Sequence, residues 1–470
     1  MRPLVVKLDG TLVKTDTLYE LAAHFVAERW TNSFVLLGLG FRDRATLETE
    51  LAQRVALDVS LLPMNSEVLE RLNDARSRGR PVVLATASSL ILAEKISKEW
   101  GPFDEVIGST PGRNIKGERK AEALVERFGE KGFDYIGNDL ADVPVLHRAH
   151  DGFLVSPSKG LLRRARSRGA RASTLGGKER VGRALLKAVR PHHWAKNLLL
   201  LIPALAAQIS LVDTWSQLVA GFVAFSVMAS SVYLANDLWD IAHDRNHHRK
   251  RNRPLASGDL PILIAAVGSP VLGATSLALS WFALGATFTL SLLFYAAVTI
   301  AYSSWLKRVA LVDVFVLTAL YGVRIVAGAV AVAVAVSPWL IAFSLFAFLS
   351  LALMKRFSEL LSSETPTTTA LRGRGYLGSD DSLIQVLGVG SGLMAGVILA
   401  LYVEEPAIQV LYSSPLLLWV LVPVWLYWVS RSWLLAHRGT MNEDPVVFAL
   451  RDRVSYVAGA IIAVAVALAR

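Results

Sequence analysis

From about residue 197 onward the chain is a succession of long apolar runs separated by short charged loops, and no other feature narrows the fold so far. About twenty apolar residues in helical form span the roughly 30 Å of a bilayer's hydrocarbon, and within lipid a segment must satisfy its own backbone polar groups. Segments centred near 204, 225, 269, 291, 321, 347, 393, 423 and 459 meet or approach that requirement. They predict an all-α polytopic membrane bundle of about nine transmembrane helices.

Lysine and arginine collect on the cytoplasmic side of such bundles. Loops after the second, fourth, sixth and eighth segments hold the positive charge: Arg245 to Arg253, Lys307 and Arg308, Lys355 to Arg374, and Arg431 to Arg453. The alternate stretches 208–216, 279–283, 333–338 and 404–414 contain neither residue type. An odd number of crossings then puts the N-terminal part and the basic loops in the cytoplasm and the C-terminus outside.

Residues 1 to about 175 instead mix charged and apolar residues in short blocks, the pattern of a soluble α/β domain. Met1 leads straight into "PLVVKLDG" without the basic and apolar blocks of a secretory leader, so this part is expected to stay cytoplasmic. The absence of cysteine excludes disulfides, thiolate metal sites and cysteine nucleophiles. Residues 159–195 are basic and rich in Gly and Ser until an amphipathic run begins near Val181, which reads as a linker followed by an interfacial helix. The expected domains are therefore 1–158, with a helical cap over about 17–78, then 159–195, then the transmembrane domain 196–470.

The loop after the second segment carries more than charge: "YLANDLWDIAHDRNHHRKRNRPLASGDL". On a helix Asn236, Asp240 and Asp244 fall at i, i+4 and i+8 and line one face. Three oxygen-bearing side chains on one face suit a hard cation such as Mg²⁺, whose remaining ligands are commonly phosphate oxygens. Arg249, Lys250, Arg251 and Arg253 follow directly, placing anion binders beside cation binders.

The pattern "NDLWDIAHD" resembles the N-D-x-x-D-x-x-x-D motif of the UbiA superfamily of intramembrane prenyltransferases, over about residues 186–470. The resemblance implies a first Mg²⁺ ligand set of Asn236, Asp240 and Asp244, with Asp237 as a further ligand or a group behind them. It also implies catalytic roles for Asp240 and Asp244, a polyprenyl lipid and a diphosphate-bearing donor as partners, and a membrane setting without nucleic acid. An oligomer stays open.

"RPHHWAKN", "YSSWLKRVALVDVFVLTALYGVRIVAGA" and "EDPVVFALRDR" look most like the subgroup that contains decaprenyl-phosphate phosphoribosyltransferase. There the donor is 5-phosphoribosyl diphosphate and the lipid phosphate is the acceptor. Lys196, Arg253, Tyr302, Lys307, Lys355 and Arg356 become substrate-binding candidates. So does Arg324, inside an apolar segment, with Asp313 eleven residues earlier on roughly the same face as its expected partner. Where aromatic prenyltransferases carry K-D-x-x-D, this chain has "MKRFSE", which keeps Glu359 as a metal candidate. Two alternatives remain: prenyl transfer to an aromatic or other small acceptor, and a non-enzymatic lipid-binding or transport module.

Residues 1–158 carry four stations in order: "KLDGTL", "VVLATAS" ending near Thr86, "NIKGERK" with Lys120, and "DYIGNDLADVPV" with Asp139 and Asp142. They resemble the haloacid dehalogenase superfamily, which implies a parallel sheet with a helical cap, Mg²⁺ on Asp139 and Asp142, and phosphate against Thr86 and Lys120. In that family's D-x-D-G-T signature the first Asp attacks phosphorus and the second acts as acid and base. Here Lys7 stands in the first position and Asp9 in the second. A lysine cannot become an aspartyl phosphate, so phosphatase activity is expected to be lost. A retained binding or regulatory module, an introduced change and a structural remnant all remain open.

Overall fold

The computed structural model describes residues 1–470 apart from 30, 40–42, 102, 178–180, 211, 363–373, 442–444 and 450. These residues form two compact units, residues 1–189 with 233–270 and residues 190–232 with 271–470.

The first unit is built on six strands: β1 (Leu4–Val6), β2 (Val82–Ser89), β3 (Glu105–Ser109), β4 (Asp134–Gly137), β5 (Gly152–Val155) and β6 (Ala172–Leu175). Their order is β3-β2-β1-β4-β5-β6, and every pairing is parallel. A parallel sheet is covered on both faces, so its strands are apolar throughout. Accordingly Leu4, Val6, Val82 and Leu84 enter one core while Val5, Val83 and Ala85 enter the other. The chain leaves β1 toward β2 on one side and returns at β4 on the other, which opens a crevice at the carboxyl ends of β1 and β4. Lys7 and Asp9 follow β1, and Asp139 and Asp142 follow β4.

Residues 17–78, expected as a helical cap, hold the helices Thr17–Glu28, Asn32–Leu39, Arg44–Arg54 and Ser66–Ser77, the last of which buries Val68, Leu72 and Ala75 in the same core as Leu4, Val6, Val82 and Leu84. Asp16 caps the first through Leu18 N, and Asp43 caps the third through Ala45 N and Thr46 N. The stretch expected to be linker from 159 differs. A helix, Lys159–Ser167, and the strand β6 complete the sheet there. The helix buries Leu161 and Ala165 while its arginines lie outside, and β6 is short and half exposed, so neither gives an apolar run. The amphipathic helix expected near Val181 is Val181–Ala188.

Residues 233–270 pack with the first unit although they lie beyond residue 196 in the sequence. Arg245 donates to both carboxylate oxygens of Glu20 at 2.9 and 2.6 Å, and Lys14 reaches Asp259 at 3.2 Å. Gly258, at φ +78°, lets the loop close on the cap: a Cβ there would sit 2.9 Å from Lys14 Cβ and 3.0 Å from Pro63.

Six described helices are long and apolar enough to cross a membrane: Trp215–Trp239, Ile262–Ser304, Val312–Ala331, Pro338–Ser362, Gly378–Val403 and Pro415–His437. About nine were expected. Ile262–Ser304 has 43 residues, about 65 Å of helix, twice the hydrocarbon depth. Gly285 breaks it at φ 81°, ψ −176°, and the Thr289 hydroxyl donates to the Gly285 carbonyl at 2.9 Å. The segment near 204 is a 3-10 stretch, Pro191–Leu201, leading into the short helix Ile202–Ala206, and that near 459 is Arg453–Ala469, 17 residues long. Within the second unit small residues allow close helix approach: Gly388 faces Trp433 and Gly392 faces Val429. Asp380 precedes the helix Asp381–Val403 without a side-chain bond into it, and its carboxylate instead accepts from Leu377 N at 2.8 Å.

Candidate functional site

In the first unit the acidic motif keeps its helical spacing. Asn236 and Asp237 lie in the last turn of Trp215–Trp239, and Asp240 precedes Ile241–Asn246, which carries Asp244. Asp240 N bonds Asn236 O at 2.9 Å and Asp244 N bonds Asp240 O at 2.8 Å, so the i, i+4 relation survives the junction. Asp237 and Asp244 are buried, Asn236 and Asp240 partly exposed.

Arg253 bridges the acids, donating to Asp237 Oδ1 at 3.2 Å and Asp244 Oδ2 at 2.6 Å. Asp244 Oδ1 is buried with no hydrogen-bond partner among the described residues. A buried carboxylate oxygen without a partner is costly, and a cation is the ordinary remedy. The residues present therefore fit Mg²⁺, with Asp244 as its best-defined ligand and Asn236, Asp237 and Asp240 beside it.

The second unit holds a separate cluster around Asp313, which is fully buried. Arg356, also fully buried, approaches Asp313 Oδ2 at 2.6 Å in ion-pair contact without hydrogen-bond alignment, and also grips Glu359. The Tyr376 hydroxyl donates to Asp313 Oδ1, and Arg374 stands 3.9 Å from Oδ2 while donating to the Tyr302 hydroxyl at 2.9 Å and Lys307 O at 3.5 Å. Asp313, Tyr302, Arg356 and Glu359 are thus brought together, with Arg374 and Tyr376 added, while Lys307 takes part through its backbone carbonyl. Glu359, expected as a metal ligand, is engaged by Arg356.

Arg324 does not meet Asp313. It donates to Asn197 Oδ1 at 2.9 Å and to the Tyr295 hydroxyl at 3.1 Å, with its guanidinium 4.7 Å above the Tyr295 ring. Eleven residues of helix separate the two by about 16 Å, beyond an arginine's reach, although they share a face. Lys196 and Lys355 line one small cavity of about 30 Å³ with Tyr321, over whose ring Lys196 Nζ lies at 5.5 Å.

The crevice of the first unit forms a cavity of about 310 Å³. Lys7 Nζ stands among Asn138 Oδ1, Asp139 Oδ2 and Asp142 Oδ2 at 2.7, 2.6 and 3.3 Å. Burial works against the Lys7 ammonium, but Asp142, Asp139 and Asp9 raise its pKa above the ordinary lysine value. Burial likewise opposes the Asp142 carboxylate, and Lys7 and Lys120 bring its pKa below the usual range. The ammonium holds the space between the two acids, so Mg²⁺ on Asp139 and Asp142 does not fit this chain.

Asp9 accepts from Thr17 N at 2.9 Å, from the Thr17 hydroxyl at 2.7 Å and from the Ser88 hydroxyl. Thr86 accepts from Ser88 N at 3.0 Å. Lys120 is buried against Ala85 O and the Tyr135 hydroxyl at 3.3 and 3.5 Å, and burial pulls its pKa down.

Sequence reasoning missed Glu48, which faces Thr17 at 2.9 Å and whose pKa burial and the nearby Asp9 push up to about 8. It missed Asn197 and Tyr295 around Arg324 as well; an intramembrane arginine demands polar company, and Asn197 was the polar residue opening an apolar run. Among the described residues, the grouping of three potential metal ligands within 4.8 Å is Asp134, His150 and Asp151. Asp134 is spoken for by Arg80 at 2.6 Å, which makes it a structural cluster.

The UbiA prenyltransferase family profile matches residues 197–454, and the haloacid dehalogenase-like hydrolase profile matches residues 4–147. A protein of Sinorhizobium fredii designated y4nM is 36% identical over 472 residues, covering 99% of this chain and 91% of its own. Decaprenyl-phosphate phosphoribosyltransferase of Mycobacterium tuberculosis is 38% identical over 193 residues, 40% of this chain and 63% of that protein. A UbiA homolog from Archaeoglobus fulgidus, solved bound to GPP and Mg²⁺, aligns with a TM-score of 0.45 at 17% identity, covering 61% of this chain and 98% of that one. With more than half its length matched, the chain belongs to the UbiA prenyltransferase family, as a membrane transferase that carries a haloacid dehalogenase-like domain ahead of its transferase part.

Proposed function

We propose that the chain transfers a phosphoribosyl group from 5-phosphoribosyl diphosphate to a polyprenyl phosphate, with Mg²⁺ as cofactor. The observation that carries this reading is the unpartnered, buried Asp244 Oδ1 beside an arginine that already spans Asp237 and Asp244. Similarity to decaprenyl-phosphate phosphoribosyltransferase over 193 residues supports the choice of donor.

Asn236, Asp237, Asp240 and Asp244 would hold the metal, which supplies charge stabilisation to the departing diphosphate. Arg253, between Asp237 and Asp244, keeps those carboxylates from repelling one another before substrate arrives and can turn to the diphosphate afterwards. Within the second unit by itself, Arg356 and Arg374 around Asp313 form a separate charged cluster, and Lys196 and Lys355 lie near Tyr321. An oxygen of the lipid phosphate attacks the anomeric carbon as its bond to the diphosphate oxygen breaks. The acceptor is already ionised, so no general base is required.

The same reading has Lys196, Arg324 and Tyr302 supporting substrate, the N-terminal part and basic loops on the cytoplasmic side, and the C-terminus outside. In this reading both limbs around Gly285, the apolar stretch 191–206 and Arg453–Ala469 cross the bilayer beside the five other span-length helices. The N-terminal domain, with Lys7 in place of the nucleophile, is not a working phosphatase.

The test is transfer of label from 5-phosphoribosyl diphosphate into a lipid phosphate, run beside prenyl diphosphates with aromatic acceptors. Label entering the lipid in Mg²⁺, and lost in Asp240→Ala and Asp244→Ala, is expected. Prenyl transfer in its place, or activity surviving both substitutions, would overturn the reading.

A further inference from the structure

Residues 30–41, "WTNSFVLLGLGF", contain no charged side chain, although they lie in the cap stretch of an α/β domain. The helix Asn32–Leu39 occupies most of them, and beyond its first two residues it has no polar side chain. Leu39 is buried and Leu36 packs against the core of the first unit, while Phe34 and Val35 are left 65% and 44% exposed. A helix without a polar face is stable where apolar surroundings cover it on every side, and here protein covers one side.

The position of the helix says what covers the other. The unit that holds it also holds the end of Trp215–Trp239 and the first turns of Ile262–Ser304, two helices of membrane length. That unit is therefore fixed at the bilayer surface, where those helices enter. The cap stands at the same entry. Glu20 is paired with Arg245 of the loop between the two helices, and Tyr19 and Arg44, from the helices on either side of Asn32–Leu39, line one cavity with Leu263 and Ile264.

Size favours lipid over a protein partner. An eight-residue helix is about 12 Å long. Its two exposed side chains fall far short of the roughly 800 Å² per partner that a stable protein interface buries. Lipid demands less, since the apolar face of an interfacial helix sinks only about 5–10 Å into the boundary between headgroups and acyl chains. We infer that Asn32–Leu39 is a membrane-dipping helix, whose Phe34 and Val35 enter the edge of the hydrocarbon and seat the cap of the N-terminal domain on the bilayer. The inference rests on the membrane character of the chain and stands apart from its donor, acceptor and metal.

The chain has no cysteine, so Phe34→Cys, Val35→Cys and Glu130→Cys each offer one thiol for a nitrobenzoxadiazole fluorophore. Glu130 is exposed ahead of β4, at the amino end of the sheet, and serves as the reference. The full chain in phosphatidylcholine nanodiscs, open to water on both faces, is quenched either by iodide in solution or by lipid with a doxyl group in its acyl chain. Labels at positions 34 and 35 should be quenched at least threefold less by iodide than the label at 130, and at least threefold more by doxyl lipid. In the unmodified chain, which needs no substitution to fold, phosphatidylcholine with a diazirine in its acyl chain should mark the peptide holding residues 34–39, read by mass spectrometry. Iodide quenching at 34 equal to that at 130 would show a solvated helix, and protection of 34 from both quenchers would show protein cover such as a second copy of the chain. Either result, or an unmarked peptide, would overturn the inference.

Discussion

Glu20 and Arg245, 225 positions apart, form a bidentate ion pair whose side chains are 0% and 4% exposed. Arg245 also donates to Ala256 O at 3.1 Å, so one guanidinium ties the cap helix to the acidic helix and to the loop after it. Removing one partner of such a pair strands a buried charge, at a cost of about 3–5 kcal/mol. Glu20→Ala should lower the thermal unfolding temperature, and the exchanged pair Glu20→Arg with Arg245→Glu should recover part of it. Because Arg245 adjoins Asp244, the Mg²⁺ concentration for half-maximal transfer should rise in Glu20→Gln. An unchanged metal requirement would confine Glu20 to stability.

Asp244 is the acid with an unpartnered buried oxygen, so its neutral isostere tests charge without changing shape. Asp244→Asn should keep the fold and lower transfer by on the order of 10²–10³, the usual loss when one charge-stabilising group is removed. Steady-state kinetics with folded protein decide this, and a loss under tenfold would move the metal site elsewhere.

Asp313 and Arg356 are fully buried together, which separates breaking the pair from replacing it. Arg356→Ala should destabilise the membrane unit by about 3–5 kcal/mol, whereas Asp313→Asn with Arg356→Met should cost clearly less. Unfolding of the two single variants and the double variant in detergent measures the coupling. Additive losses would show that the pair does not act as one.

Glu48 gives the N-terminal domain a defined pH response. An unfolded glutamate ionises near 4.5, whereas in the fold it stays protonated to about 8. Its contribution is therefore fully present below about 4.5 and declines as pH rises to about 8, because the fold must increasingly deprotonate a buried group. His24, whose pKa burial lowers, has the opposite slope below about 6.5, so the comparison must be with a variant. Parent protein should lose unfolding temperature relative to Glu48→Gln between pH 5 and pH 8.5. Parallel curves would remove Glu48 as the cause.

Local spacing carried most of what the sequence revealed. Asn236, Asp240 and Asp244 are set by one helical repeat, and Lys7 met Asp139 and Asp142 because parallel strands β1 and β4 end side by side. Partners far apart in sequence were illegible: the spacing of Arg324 pointed to Asp313, while packing supplied Asn197 from 127 positions away. Strand β6 was hidden because four residues, three of them not buried, make no apolar run. Gly285 left the count of crossings undecided, since one glycine in an apolar stretch reads equally as a bend or as a turn between two helices.

The tight approach at Gly258 ties the ancestry of the two halves together. A substitution there can be tolerated only if Lys14 and Pro63 withdraw, so the loop that follows the acidic motif and the cap of the N-terminal domain cannot drift independently. A lineage that shed the N-terminal domain would be released at Gly258 and Arg245 at once, and larger or uncharged residues appearing together at those two positions would record the separation.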